Sequence, residues 1–78
     1  LGKLFIEVEA NFNTEGIMTP VEIIWEDGRI FHIARVLDIR RAASLKAGGQ
    51  GIRYRCIING QEKFLFFEDN KWFVETNR

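Results

Sequence analysis

With one cysteine among 78 residues, no internal disulfide framework can form, and packing must hold the fold together. That residue, Cys56, sits in an apolar alternation, which fits a reduced, intracellular setting; a cytoplasmic location is expected. No apolar run reaches the roughly 18 residues of a membrane-spanning helix, so no membrane partner is expected. No charged-then-apolar leader is read at the start. A single histidine, His32, with its one potential thiol partner far along the chain, leaves no metal constellation of recognisable spacing, and neither metal nor cofactor is expected. No Gly/Ser-rich linker or repeat divides the sequence. It reads as one small β-domain over 1–78, with a first strand and loop in 1–18 and a hairpin-built core in 19–76. A chain this short buries only about 60–65% of its unfolded surface and stands near the lower limit of independent stability. Seven Phe, two Trp and one Tyr offset that, each contributing roughly 1.5–3 kcal/mol when buried.

Net charge is zero, which argues against a strong non-specific polyanion binder. The distribution is uneven. Residues 1–28 hold one base and six acids, residues 29–55 seven bases and one acid, and residues 56–78 three bases and four acids. The basic middle block either meets the acidic first strands or takes an external anion.

Residues 51–76 organise the chain as three antiparallel strands joined by two tight turns. Asn59-Gly60 is a strong type I′ hairpin signal, because that turn needs positive φ at both centres. Asp69-Asn70 can make the same turn, since both residues tolerate the left-handed region. The first turn pairs Ile58 with Gln61, Cys56 with Lys63, Tyr54 with Leu65 and Ile52 with Phe67. The second pairs Glu68 with Lys71, Phe67 with Trp72 and Leu65 with Val74. Opposed residues share a face, so both turns assign one core face: Ile52, Tyr54, Cys56, Ile58, Leu65, Phe67, Trp72 and Val74. A one-residue slip would scramble it. The other face carries Arg53, Arg55, Ile57, Glu62, Phe64, Phe66, Phe73 and Glu75, with Arg55 and Glu75 placed to meet above Phe64. Its ordinary reading is a second, half-covered face with Phe rings under the amino-terminal strands. Its functional reading is an aromatic and arginine platform for nucleic-acid bases.

Upstream, residues 3–10 alternate as a half-buried strand, and 11–19 read as a loop with Phe12, Ile17 or Met18 tucked beneath. Pro20 can begin a strand where no ladder donor is needed. Val21–Glu26 follow, and Asp27-Gly28 is another type I′ candidate, pairing Trp25 with Ile30, Ile23 with His32 and Val21 with Ala34. Both faces of this hairpin are apolar, as in a small barrel or strongly curved sheet. Between 38 and 51 the strand either runs to about Arg41 and loops back, or reaches Arg40 and gives one short helical turn near 42–47. Asp38 as cap, the alanines with Leu45, and Gly48 as terminator favour the helical turn. The fold class is therefore all-β, with five or six antiparallel strands in hairpins.

Few residues carry chemistry. Gly48-Gly49-Gln50-Gly51 lacks the Gly-Lys-Ser/Thr ending of a P-loop and precedes a strand, so it reads as a flexible turn. His32, opposite Ile23 on a mostly apolar face, reads as a structural histidine. Cys56 has only Lys63 as a basic neighbour on its face, and burial would raise its pKa, against a catalytic thiol. The carboxylate pairs Glu26-Asp27 and Glu68-Asp69 lie at turn tips, where no enclosed pocket shifts their pKa values. Nothing assembles nucleophile, base and orienting group, so no enzyme is expected. The one functional-looking cluster is Arg35, Arg40, Arg41, Lys46, Arg53 and Arg55, joined by Phe64 and Phe66. Alternation sends Arg40 and Arg41 to opposite faces, and like charges facing one another need a nearby acid or an anionic partner.

Pro20, Ile24-Trp25, Asp27-Gly28-Arg29, Phe31, Arg35-Val36-Leu37 and Trp72 together resemble the pattern of an uncharacterised family of small bacterial β-domains. The resemblance spans residues 19–75, leaves 1–18 outside, and implies a fold without an activity. The leading expectation is a non-enzymatic protein-interaction or self-association module. The alternative is a nucleic-acid-binding domain that uses the basic 35–55 block and the Arg/Phe face.

Overall fold

The computed structural model describes residues 2–41 and 51–76, and within them the chain is all-β. Six strands follow in order: β1 (Gly2–Phe12), β2 (Met18–Ile24), β3 (Ile30–Arg41), β4 (Ile52–Ile58), β5 (Gln61–Glu68) and β6 (Lys71–Thr76). Each pairs antiparallel with its neighbours in sequence, and β1 also pairs with β6, closing a barrel. The helical turn expected near 42–47 lies outside the described residues, as do Lys46 and most of the glycine loop.

The two turns that organise the carboxyl-terminal half have the expected backbone. Asn59 and Gly60 take φ of 55° and 73°, and Asp69 and Asn70 take 52° and 61°. The β4–β5 register follows: Tyr54 faces Leu65, Cys56 faces Lys63 and Ile52 faces Phe67. Between β5 and β6, Phe67 faces Trp72 and Glu68 faces Lys71, but the ladder stops at Phe66 opposite Phe73. The expected Leu65–Val74 pair is thus not part of it.

The Asp27-Gly28 turn is longer than expected. Gly28 N–H donates to Trp25 C=O at 2.8 Å and Trp25 N–H to Arg29 C=O at 2.8 Å, with Gly28 at φ 90°. This is a three-residue loop with a glycine bulge rather than a two-residue turn. The pairing therefore shifts by one: Ile23 faces Phe31, and Glu22 faces His32. The shift turns His32 outward, where its Nδ1 lies 3.0 Å from Glu22 Oε2. A structural histidine against Ile23 is corrected to an exposed partner of Glu22. The loop at 13–17 also departs from expectation. Asn13 Oδ1 accepts from the N–H groups of Glu15 and Ile17 at 2.8 and 3.0 Å; Phe12 and Ile17 are exposed, and of the three apolar residues expected beneath the loop only Met18 is half-buried.

Closure with six strands requires strong bending, and bulges supply it. β1 shifts register at Glu9/Ala10 against β2, placing Pro20 where a missing N–H costs no ladder bond. β3 shifts twice against β4, at Ile33/Arg35 and Val36/Asp38. The interior is filled from all six strands: Ile23, Tyr54, Cys56, Ile58 and Leu65 are buried, with Trp25, Phe31, Phe67 and Trp72 among those packed around them. Tyr54 donates its hydroxyl across the barrel to Met18 C=O at 2.7 Å, so this polar tip of the core is satisfied.

Burial pushes the Cys56 thiol up to about 11 from 9.0, and burial followed by the neighbouring Cys56 raises the Tyr54 hydroxyl as well. For Cys56 the folded value exceeds the unfolded one. Its contribution to stability is fully present below pH 9 and is lost as pH rises through 11. The urea midpoint should therefore be flat to pH 9 and fall above it, with a smaller fall in Cys56→Ala. Thiol reagents should label Cys56 only as fast as the protein unfolds. Rapid native-state labelling would show that the interior is open.

A second aromatic cluster lies on the outside of the barrel. Phe73 stacks on Phe66 with centroids 5.2 Å apart and planes at 8°, and meets the edge of Phe5 at 5.8 Å. Lys3 Nζ sits 4.5 Å from the Phe73 ring and 3.4 Å from Glu68 Oε1. Phe73 is 0% exposed and Phe66 5%, although both face away from the barrel interior. Glu68 is buried beside them and folds over Gly51, so closely that a Cβ there would fall within its side chain and lie 2.7 Å from Oε2.

Candidate functional site

Strand pairing decides which of the basic residues meet. The two β3 bulges put Arg35 opposite Ile57, Asp38 opposite Arg55, and Arg40 opposite Arg53. Arg53 and Arg55 in turn face Phe66 and Phe64. Arg35, Arg40, Arg53, Arg55, Phe64 and Phe66 therefore share the outer face of β3, β4 and β5. Arg41 does not join them: it faces Ile52, on the side that alternates with this face. Lys46 lies outside the described residues.

Within this face, neutralisation is local. Arg40 Nε lies 2.7 Å from Asp38 Oδ2, and Arg55 Nη1 lies 3.1 Å from Glu62 Oε1. The acids that meet arginines are thus Asp38 and Glu62, not those of the first strand, because β1 pairs with β2 and β6 rather than with β3 or β4. The arginine above Phe64 is Arg53, with its guanidinium carbon 4.8 Å from the ring centre, whereas Arg55 turns to Glu62. Phe64 is 42% exposed, but Phe66 is buried against Phe73. Two adjacent open rings, the minimum for stacking successive bases, are absent from this face among the described residues.

A different feature was not read from the sequence. At the end of the barrel that carries the 25–29 loop and the Asn59-Gly60 turn, β5 and β6 part where their ladder stops. The opening leads into a cleft of about 600 Å³. Apolar side chains from five strands and the 25–29 loop line it, among them Ile23, Trp25, Phe31, Ile58, Leu65 and Val74. Charged groups of both signs stand around it: Arg29, Lys63, Glu62 and Glu75. Arg29 is held by Asp27, with Nε 2.7 Å from Oδ2, and lies over Phe31 at 5.3 Å. That contact and the backbone N–H of Arg29 hold the Asp27 carboxyl below its usual range, the backbone bond being the larger influence.

The volume falls within the range of small-ligand and peptide pockets, roughly 300–1,000 Å³. The cleft can desolvate an apolar group and offers rim charges to orient it. Among the described residues there is no group of three His, Cys, Asp or Glu side chains that could hold a metal, and no helix long and apolar enough to cross a membrane. No sequence signal points to the cleft, because it arises from the end of a ladder and not from a motif. Comparison with protein-family models, curated proteins and solved structures finds no match.

Proposed function

We propose that this barrel is a non-enzymatic binding module whose ligand is a polypeptide, working in a reducing, cytoplasmic setting. The observation that carries the reading is the apolar cleft at the parted β5–β6 seam, ringed by charges of both signs. A polyanion site needs a field of one sign, and this rim has none. The burial of Phe66 and the local pairing of Arg40 and Arg55 weigh in the same direction. Self-association is one form such binding takes.

The nucleic-acid reading keeps one observation in its favour: Arg53 over the exposed Phe64, with Arg35 and Arg40 on the same face. Titration with labelled single- and double-stranded oligonucleotides at about 50 mM salt separates the two. The expected result is no affinity tighter than about 10⁻⁴ M, the weak end of ordinary non-specific binding. Tight binding with a log–log salt slope near −0.9 per phosphate on duplex DNA would replace the peptide reading.

A further inference from the structure

Both tight turns determine which main-chain groups face the seam. A two-residue hairpin makes its flanking pair hydrogen-bonded, and the pattern then alternates along the strand. From Asn59-Gly60, the N–H and C=O groups of Gln61, Lys63 and Leu65 point to β4, and those of Glu62, Phe64 and Phe66 point to β6. From Asp69-Asn70, Glu68 and Phe66 again point to β6, in agreement. The β5–β6 ladder ends at Phe66 opposite Phe73. The main-chain groups of Glu62 and Phe64 consequently face the opening, as on an edge strand.

We infer that the seam accepts one extended peptide segment as an added strand along Gln61–Leu65, a proposal that rests on the polypeptide-binding reading and names its site. Main-chain bonds to Glu62 and Phe64 supply affinity without regard to sequence, and alternate side chains supply specificity. The residues of this stretch on the inward-alternating face are Gln61, Lys63 and Leu65. A peptide residue opposite Leu65 enters the cleft beside Trp25 and Phe31, and so is a large apolar one. A residue opposite Lys63, two positions away on the same peptide face, meets an ammonium group. Lys63 is exposed and has no ion-pair partner among the described residues, whereas Arg29 and Arg55 are already held by Asp27 and Glu62. That peptide residue is therefore acidic. The partner is an extended segment with a large apolar and an acidic residue two positions apart.

The test is selection from a random linear peptide library displayed on phage. Synthetic forms of enriched sequences are then titrated into the ¹⁵N-labelled domain. The enriched peptides should share the apolar and acidic pair at that spacing, shift the amide resonances of Glu62 and Phe64, and slow their exchange with solvent. Methylating the peptide nitrogen that faces Phe64 should weaken binding about tenfold, the loss of one well-formed hydrogen bond. Lys63→Glu should weaken it by a similar factor and recover on swapping the acidic residue for lysine. Enriched peptides that leave Glu62 and Phe64 unperturbed overturn the seam and leave the interaction module standing. No enrichment overturns both, and so does a cleft that binds an apolar dye but no peptide.

Discussion

Phe73→Ala should lower the urea midpoint so far that much of the protein is unfolded at ambient temperature. The ring is fully buried, stacked on Phe66 and capped at its edge by Phe5. Truncating a buried Phe costs about 3–5 kcal/mol, against a total of roughly 4–12 kcal/mol for a domain of this length. The Lys3 ammonium over the ring loses its aromatic partner as well, which adds roughly 0.5–1 kcal/mol at a partly exposed site. Phe64→Ala is the internal control. It removes a ring of the same size from the same outer surface, but a half-open one, and should cost about 1 kcal/mol or less. Equal losses in the two variants would show that the outer cluster contributes no more than ordinary surface packing.

Gly51→Ala should destabilise by about 1–3 kcal/mol, the cost of forcing an added methyl into a filled site. The obstacle is specific. The Glu68 side chain, anchored by its ion pair with Lys3, lies where the methyl would go. Trimming the obstacle should relieve the strain, so Glu68→Ala combined with Gly51→Ala should cost less than the sum of the two single changes by at least about 1 kcal/mol. Strict additivity in the denaturation midpoints would show that Glu68 moves aside freely and that the glycine is tolerant.

The hairpins of β4, β5 and β6 were legible because each turn dipeptide admits one geometry, and two such turns fixed a common register for the core face. At Asp27-Gly28 the same logic failed by one residue. Asp-Gly serves a two-residue turn and the last two positions of a three-residue loop equally well, and the apolar character of both neighbouring faces offered no vote between them. His32 and Ile23, expected opposite one another, lie on different faces as a result. In β3, Arg35, Asp38 and Arg40 share the outer face only because two bulges reset the alternation, and bulges leave no mark in a hydrophobic pattern. The candidate site was illegible for a related reason. Leu65 and Val74 continue the apolar face on paper, yet closing the barrel draws β6 toward β1 and ends its ladder with β5 three pairs beyond the turn. Phe66 and Phe73 alternate onto the second face, whose ordinary reading is Phe rings under the amino-terminal strands, and Lys3 and Phe5 of β1 do lie against Phe73.

Barrel closure rests on Gly2 facing Thr76 and Lys3 facing Glu75, pairs separated by almost the whole chain. Such contacts form only after the chain has surrendered nearly all of its loop entropy, so they contribute little to early steps of folding. The sequence-adjacent pairings from β2 to β6 can assemble without them and would present two open edges, β2 and β6, until β1 arrives. One strand thus has two duties in time as well as in space. By binding β6 with its first half and β2 with its second, β1 withdraws both edges at once, ending the interval in which the growing sheet could pair with a neighbour.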